Sequence, residues 1–205
     1  MTRKTLVVVA AAAVAVIVGY RACLDRPEIV NSTPRGTTIV CFGDSLTAGT
    51  GAPPGRSYPD RLAELLGEPV VNAGVPGDTT ASALERRERD VLARDPRIVC
   101  ITLGGNDLMR DVRVEEAFAN LRSIVRRMQE SGALVVVGGL ELPMLDRGYR
   151  AAYGDLCREL GCVLVEDVYD GIMGRGELMS DRIHPNAAGY ERMARHFERA
   201  LRPYL

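Results

Sequence analysis

Five short, almost wholly apolar runs, separated by longer amphipathic stretches, constrain the fold of this chain more than any other feature. The runs are Thr38–Phe42, Pro69–Ala73, Ile98–Leu103, Ala133–Val137 and Cys162–Val165. Strands that are apolar on both faces are typical of a parallel sheet that helices cover on each side. Because a helical pattern follows each run, the sequence predicts a three-layer α/β/α domain of the flavodoxin-like type, with a five-stranded parallel sheet.

The helical patterns also predict where a functional site would lie. Helices are expected at Tyr58–Leu66, Ser82–Ala93, Val114–Glu130, Tyr149–Leu160 and from Pro185 to about Leu201. Proline is favoured in the first turn of a helix, which places the start of the last helix at Pro185. In open parallel sheets, binding sites form outside the carboxyl ends of the strands. The residues that follow each strand are therefore the first candidates for function.

The N-terminal segment has the composition of a targeting sequence. Arg3 and Lys4 precede the apolar run Leu6–Gly19, an order that is typical of an export signal. The run is short for a membrane span, which needs about 17–25 residues. We expect residues 1–23 to be an uncleaved membrane anchor; a cleaved signal, lipidation at Cys23 and a buried core helix are the alternatives.

The segment behind this anchor is polar. Residues 24–36 contain two prolines, which predicts a linker and a folded domain over residues 37–205. An export signal or anchor would place that domain in the bacterial cell envelope or periplasm, attached to the membrane through its N-terminal segment. A monomer is expected.

Charge and residue usage exclude several classes of function. The net charge of −1 does not favour a nucleic-acid partner. Lys4 is the only lysine, which removes Schiff-base lysine chemistry and the P-loop lysine from the folded part. With two histidines and no CxxC pair, a zinc site is poorly supported. His196 lies in an amphipathic helical pattern, so His184 is the histidine available for catalysis.

The cysteines divide into two groups. Cys41 and Cys100 lie in apolar strand-like runs and are predicted to be buried core residues. Cys157 and Cys162 are close enough in sequence to form a disulfide in an oxidising compartment. Two free thiols are the alternative.

Polar and glycine-rich turns gather candidate catalytic groups at one edge of the predicted sheet. The turns read GDSLTAG after the first strand, NAGVPGDTT after the second, LGGNDLM after the third and SDRIHPNAAGY before the last helix. Ser45 offers a hydroxyl, which is a poor nucleophile unless a base such as His184 takes its proton. Asp181, three residues before His184, is placed to orient the imidazole as the acid of a Ser-His-Asp triad does. Helix capping is the alternative role for Ser45 and Asp181.

An acyl-transfer site also needs hydrogen-bond donors where negative charge develops. The candidates for this oxyanion hole are the backbone N–H groups of Ser45 and Gly74 and the side-chain amide of Asn106. Asp44 and Asp107 follow the same turns and are predicted to hold loop backbone.

Apolar loop residues near this edge are candidates for a groove that binds an acyl chain, with ordinary core packing as the alternative. They are Leu108, Met109, Leu142, Met144 and Leu145.

Four short motifs, in this order, resemble the SGNH-hydrolase superfamily of GDSL lipases and esterases. They are G-D-S-L at Gly43–Leu46, the glycine at Gly74, G-x-N-D at Gly104–Asp107 and D-x-x-H at Asp181–His184. The resemblance covers roughly Ile39–Leu201. The stretches FGDSLTAGTGAPPGRSYPDRL and VVNAGVPGDTTASAL are similar to the bacterial arylesterase, acyl-thioesterase and lysophospholipase branch.

The resemblance implies specific roles for these residues. Ser45 would be the nucleophile, His184 the base and Asp181 its partner, with Gly74 and Asn106 completing the oxyanion hole. It also implies a strand order of 2-1-3-4-5, no metal or organic cofactor, and a periplasmic location.

The sequence thus predicts a serine ester hydrolase that cleaves small-molecule or lipid acyl esters or thioesters through an acyl-enzyme. A carbohydrate O-deacetylase of the cell envelope would use the same triad and is an alternative. A non-catalytic, membrane-tethered binding module is a third hypothesis, and it predicts a degenerate site. A flavodoxin-like nucleotide binder is disfavoured, because the turns lack a Walker lysine and an orderly GxGxxG.

Overall fold

A single parallel sheet forms the centre of the domain in a computed structural model that describes residues 28–142 and 147–205. The strands are β1 (Thr38–Gly43), β2 (Val70–Gly74), β3 (Pro96–Thr102), β4 (Leu134–Gly138) and β5 (Val163–Val165). Their spatial order is β2-β1-β3-β4-β5, and every pair is parallel. The predicted fold class and strand order are confirmed.

Seven α-helices connect and cover the strands over the described residues. They are α1 (Ser45–Ala48), α2 (Tyr58–Leu66), α3 (Thr80–Asp90), α4 (Gly105–Met109), α5 (Val114–Glu130), α6 (Tyr149–Leu160) and α7 (Ala187–Leu201). Short 3₁₀ turns lie at Leu92–Arg94, Gly176–Leu178 and Arg202–Tyr204.

Side-chain caps explain where two predicted helix starts were wrong. Thr79 and Ser82 form a capping box, so α3 begins at Thr80 rather than at Ser82. The side chain of Asn186 accepts hydrogen bonds from the first turn of α7, so Pro185 lies before the helix and not in it.

Two helical layers enclose the sheet. In one, α2 packs against α7, and the rings of Tyr58 and Phe197 stack with centroids 5.0 Å apart. In the other, α5 packs between α3 and α6, and Phe118 meets Tyr153 edge to face at 4.9 Å. Each aromatic pair stabilises the fold by roughly 0.5–1.5 kcal/mol beyond the contribution from burying the apolar surface of the two rings. The layers fix the strand ends on which the site is built.

The end of the predicted linker belongs to the folded domain. The Val30 N–H donates to Gly161 O at 2.8 Å, and the Arg35 N–H donates to Gly132 O at 3.0 Å. The Asn31 amide donates to the carbonyl oxygen of Ala133 at 2.9 Å. Residues 28–36 therefore pack at the amino ends of β4 and β5, which corrects the predicted domain start at residue 37.

The rest of the N-terminal prediction, including Cys23, lies outside the described residues. Within the described ranges, no helix is both long enough and apolar enough to span a membrane.

The cysteines occupy two buried sites. Cys41 and Cys100 are register partners on β1 and β3 with no exposed surface, as predicted for core residues. The sulfur atoms of Cys157 and Cys162 lie 3.1 Å apart as free thiols where α6 ends and β5 begins. The hydrogen bond with Cys162 and burial hold the pKa of the Cys157 thiol far above its ordinary value. The disulfide stays a prediction for an oxidising compartment.

Candidate active site

Ser45 lies directly beyond the carboxyl end of β1, as the first residue of α1. The residue that caps this short helix is Asp44, whose carboxylate accepts a hydrogen bond from the Leu46 N–H at 2.9 Å. Capping is therefore not the role of Ser45. A Cβ on Gly43 would lie 2.4 Å from the backbone carbonyl oxygen of Thr102, so only glycine fits at this end of the strand.

The structure brings the three predicted catalytic side chains together. The Ser45 hydroxyl lies 2.9 Å from Nε2 of His184, and Nδ1 of His184 lies 2.7 Å from the carboxylate of Asp181. An ionised carboxylate can only accept, so Nδ1 donates to it and Nε2 is left free to accept the serine proton. This arrangement matches the requirement for a base-activated hydroxyl.

Asp181 is held as an ionised acceptor by its own turn. Its second carboxylate oxygen accepts from the backbone N–H groups of Ile183 and His184, each at 2.8 Å. The backbone hydrogen bond from Ile183, with the imidazole and the His184 N–H, lowers the pKa of Asp181 to about 2. Tyr169 fixes the same turn, because its hydroxyl donates to the Ile183 carbonyl at 2.6 Å.

Asn106 is held rigidly beside the nucleophile. It lies on α4, directly beyond β3, and its amide donates to Asp44 at 3.2 Å and to the carbonyl of Asp78 at 2.9 Å. Asn106 and Ser45 line the same cavity. The predicted amide donor is thus present at the site.

Gly74 does not fit the role that the sequence assigned to it. Its N–H already donates to the side-chain oxygen of Asn72 at 3.0 Å. Its Cα faces the backbone of α1, since an added Cβ would lie 2.2 Å from the Ala48 nitrogen. Gly74 therefore permits close packing of β2 against α1 and is not an available oxyanion donor.

A second glycine of the same turn has an available donor. No described residue accepts a hydrogen bond from the N–H of Gly77. Gly77 has a φ of +84° and immediately precedes Asp78, whose carbonyl binds the Asn106 amide. The sequence prediction erred because the turn contains two glycines, and only backbone geometry distinguishes them.

The acidic residues of the turns have the predicted structural roles. Asp107 is buried and accepts from the N–H and the hydroxyl of Thr80 at 2.9 and 2.6 Å, which ties α4 to α3. Asp44 is also buried, and that burial raises its pKa to about 6, against the opposing hydrogen bond from Leu46.

The raised pKa of Asp44 predicts a specific pH dependence of stability. A folded-state pKa of about 6, above the unfolded value of about 3.9, means that the folded protein binds this proton more tightly. The contribution is complete below about pH 4 and is lost as the pH rises through about 6. Between pH 4 and pH 8, the wild type should lose about 2 kcal/mol more free energy of unfolding than Asp44→Asn. Urea unfolding at both pH values measures this difference, and parallel profiles would contradict it.

A small apolar cavity adjoins the catalytic pair. Its volume is about 30 Å³. Besides Asp44, Ser45, Asn106 and His184, its walls are Leu46, Gly105, Met109, Leu140, Leu142, Tyr169 and Ile183. Met109 and Leu142 are thus where the groove prediction put them, and Met109 is 47% exposed.

Other groove residues have different outcomes. Leu108 packs in the core and does not line this cavity, so its assignment to the groove is wrong. Met144 and Leu145 lie outside the described residues. Sequence reasoning missed three further cavity residues, Leu140, Tyr169 and Ile183. For Leu140 and Tyr169, the available signal was their position beyond the ends of β4 and β5; for Ile183, it was its place within the D-x-x-H motif.

The remaining histidine is remote from this chemistry. His196 is half-buried on α7, as predicted, and burial lowers its pKa. It lines a separate cavity of about 630 Å³ beside the edge strand β5, which includes neither Ser45 nor His184. In the ranges that the structure describes, no cluster of three or more His, Cys, Asp or Glu residues is suited to a metal ion.

The chain is similar to known hydrolases over most of its length. A family model described as GDSL-like lipase/acylhydrolase matches residues 41–192. Esterase TesA of Pseudomonas aeruginosa is 29% identical over 179 residues, covering 82% of this chain and 89% of that protein. Thioesterase 1/protease 1/lysophospholipase L1 of Escherichia coli K12 is 27% identical over 176 residues, covering 82% and 85%. An acetylxylan esterase of Geobacillus stearothermophilus is 29% identical over 161 residues, covering 66% and 73%.

Solved structures show the same similarity. The crystal structure of TesA aligns with a TM-score of 0.78 at 29% identity, over 82% of this chain and all of that one (100%). AlinE4, described as an SGNH-hydrolase family esterase, aligns with a TM-score of 0.66 at 32% identity, over 82% and 95%.

Proposed function

The chain belongs to the GDSL-like lipase/acylhydrolase family and is an ester-bond hydrolase; from this premise we propose that it cleaves acyl esters or thioesters through a covalent acyl-enzyme on Ser45. One observation carries the proposal: the hydroxyl, imidazole and carboxylate form a continuous chain with links of 2.9 and 2.7 Å. A non-catalytic binding module predicts a degenerate site, and the complete chain of contacts argues against it.

Acylation begins with transfer of the Ser45 proton to Nε2 of His184. The serine oxygen attacks the ester or thioester carbonyl carbon, and the carbonyl π electrons move onto oxygen. When the tetrahedral intermediate collapses, the bond to the leaving oxygen or sulfur breaks, and His184 returns its proton to that atom. Asp181 stabilises the imidazolium while it exists, because its carboxylate lies 2.7 Å from Nδ1.

Deacylation repeats these steps with water. His184 takes a proton from a water molecule, the resulting hydroxide attacks the acyl carbon, and the bond to the serine oxygen breaks. His184 then returns the proton to Ser45. The free acid leaves, and the enzyme is restored without any external oxidant or reductant.

Three donors are proposed to hold the oxyanion. They are the Ser45 N–H at the start of α1, the Gly77 N–H, and the Asn106 amide. No described residue accepts from the Ser45 or the Gly77 N–H. The oxyanion would share the Asn106 proton that donates to Asp44, which is the longer of the two amide contacts at 3.2 Å. Each such donor contributes about 2.7–4 kcal/mol of transition-state stabilisation.

The cavity beside Ser45 indicates the kind of acyl group. The apolar residues in its walls suit an apolar acyl chain. The arylesterase, thioesterase and lysophospholipase names of the relatives support acyl esters and thioesters as substrates. The acetylxylan esterase name of a further relative supports carbohydrate O-deacetylation as the second candidate.

A panel of esters tests the proposal and separates the two candidates. The full chain is assayed on p-nitrophenyl esters of increasing acyl length, on acyl thioesters and on acetylated oligosaccharides, and the initial rates are compared. We expect turnover of short and medium aryl esters and of thioesters. Turnover restricted to acetyl groups on sugars would favour the deacetylase, and no turnover of any ester would refute the proposal.

The proposed location is the cell envelope, with the domain attached to a membrane through residues 1–23. Residues 28–36 pack at the amino ends of β4 and β5, whereas Ser45 lies at the carboxyl end of β1. The attachment therefore enters the domain on the side opposite to the catalytic groups. Fractionation of cells that express the full chain tests this, and recovery in the cytosolic fraction would contradict it.

A further inference from the structure

Arg86 is a buried charged residue that the catalytic scheme does not use. It lies on α3, and its side chain is only 8% exposed. A buried charge needs partners, because its desolvation is otherwise costly. The hydrogen-bond and ion-pair partners of Arg86 therefore indicate its role.

The guanidinium binds two strand ends and one turn at the same time. Its Nη2 donates to the carbonyl of Gly43 at 2.9 Å, and its Nη1 donates to the carbonyl of Ala73 at 2.9 Å. Its Nε donates to the carboxylate of Asp78 at 2.5 Å. Asp90 accepts a further contact at 3.1 Å, one helical turn away on α3.

These contacts converge on the backbone that carries the proposed oxyanion hole. Gly43 ends β1 and is followed by Asp44 and the nucleophile. Asp78 follows Gly77, and its own carbonyl accepts from the Asn106 amide at 2.9 Å. One rigid group thus sets the relative positions of the Ser45 N–H, the Gly77 N–H and the Asn106 amide.

We propose that Arg86 is a positioning residue for the oxyanion hole, acting by clamping the ends of β1 and β2 to the Asp78 turn. The proposal rests on the proposed ester hydrolysis. Arginine suits this role because its planar fork presents several donors in fixed directions, whereas lysine presents a compact charge. The ring of Phe42 lies 4.4 Å from the guanidinium carbon and orients the plane.

The main test is the effect of Arg86→Ala on steady-state ester hydrolysis. Without the Arg86 side chain, the oxyanion donors should shift by up to about 1 Å. We expect this shift to lower kcat by about 10²-fold. KM should change less than about threefold, because the donors act on the transition state rather than on the bound substrate. The pKa of the pH–rate profile should not move, because the Ser45–His184–Asp181 contacts do not involve Arg86.

A double variant separates positioning from general support of the fold. Asn106 supplies one of the three donors that Arg86 is proposed to position, so Arg86→Ala should lower kcat by a clearly smaller factor in an Asn106→Ala background than in the wild type. A merely structural role would cost the same factor in both backgrounds. Equal losses, or an unchanged kcat in a folded Arg86→Ala variant, would overturn the proposal.

A conservative variant and a control variant keep the test interpretable if Arg86→Ala does not fold. Arg86→Lys keeps the charge but cannot reach both carbonyls and the carboxylate, so its kcat should lie between those of the wild type and Arg86→Ala. If Arg86→Ala does not fold, a wild-type kcat in Arg86→Lys would overturn the proposal.

Arg127→Ala is the matched control. Arg127 also joins α3 to the rest of the domain, through Glu88, but this contact lies away from the strand ends. The kcat of Arg127→Ala should stay unchanged. A wild type without esterase activity would instead refute the proposed function.

Discussion

Ser45→Ala should abolish ester hydrolysis while leaving the fold intact. The alanine methyl cannot form the acyl-enzyme, and water would have to attack the substrate directly. We expect kcat to fall by a factor of about 10⁵ or more, to the small residual rate that substrate binding and the oxyanion donors support. Initial rates on a short p-nitrophenyl ester measure the loss.

Stability and a second serine provide the controls for that result. Among the described residues, the Ser45 hydroxyl forms a hydrogen bond only with His184. The melting temperature of Ser45→Ala should therefore change by no more than a few degrees. Ser131→Ala removes a hydroxyl that donates to Met128 O at the far end of α5, and it should retain full activity. Turnover by Ser45→Ala near the wild-type rate would exclude an acyl-enzyme on this residue.

Asp181→Asn should be the second most damaging change, although it replaces a single oxygen by nitrogen. The asparagine oxygen can still accept from the Ile183 and His184 N–H groups, as the carboxylate does at 2.8 Å. Its NH₂ would then face Nδ1 of His184 and force that nitrogen to accept. The proton would move to Nε2, where it blocks removal of the serine proton, so kcat should fall by about 10³–10⁴-fold.

The matched control for this change is Asp155→Asn. Asp155 is an exposed carboxylate on α6 that pairs with Arg158 and lies away from the triad. Its neutralisation should leave kcat within about twofold, as expected for an exposed ion pair. A small effect of Asp181→Asn, similar to that of the control, would mean that Asp181 does not orient the base.

The architecture was predictable because the hydrophobic patterns of its long helices and of its strands are distinctive. Three helices, Tyr58–Leu66, Val114–Glu130 and Tyr149–Leu160, have the predicted bounds. Their apolar faces repeat over several turns, and the strands are apolar throughout. The short helices α1 and α4 were missed because four or five residues are too few for such a repeat.

The triad was predictable for a different reason. Ser45, Asp181 and His184 each have side-chain chemistry that few other residues share, and parallel topology places strand ends at one edge. The oxyanion hole was less predictable, because backbone donors carry no side-chain signature. The N–H of Gly74 is already bound and that of Gly77 is not, and the sequence does not record this difference.

Tertiary contacts that link distant segments were also beyond the sequence. In the sequence, Arg86 stands beside Arg87 in a charged stretch of the kind that is typical of a solvated helix face. Its burial depends on two strand ends that lie 13 and 43 residues earlier in the chain. The docking of residues 28–36 likewise depends on loops that are about a hundred residues or more away in sequence, such as those at Gly132 and Gly161.

Covalent labelling with a fluorophosphonate tests the central claim, that Ser45 is the activated nucleophile, most directly. The reagent mimics the ester carbonyl at phosphorus, and the serine oxygen displaces fluoride to form a stable phosphonyl ester. The modified residue is mapped by mass spectrometry of peptides from the wild type and from His184→Ala. We predict one adduct on Ser45 in the wild type and a much slower reaction without His184. Continued ester hydrolysis by protein that carries no adduct on Ser45 would contradict the account.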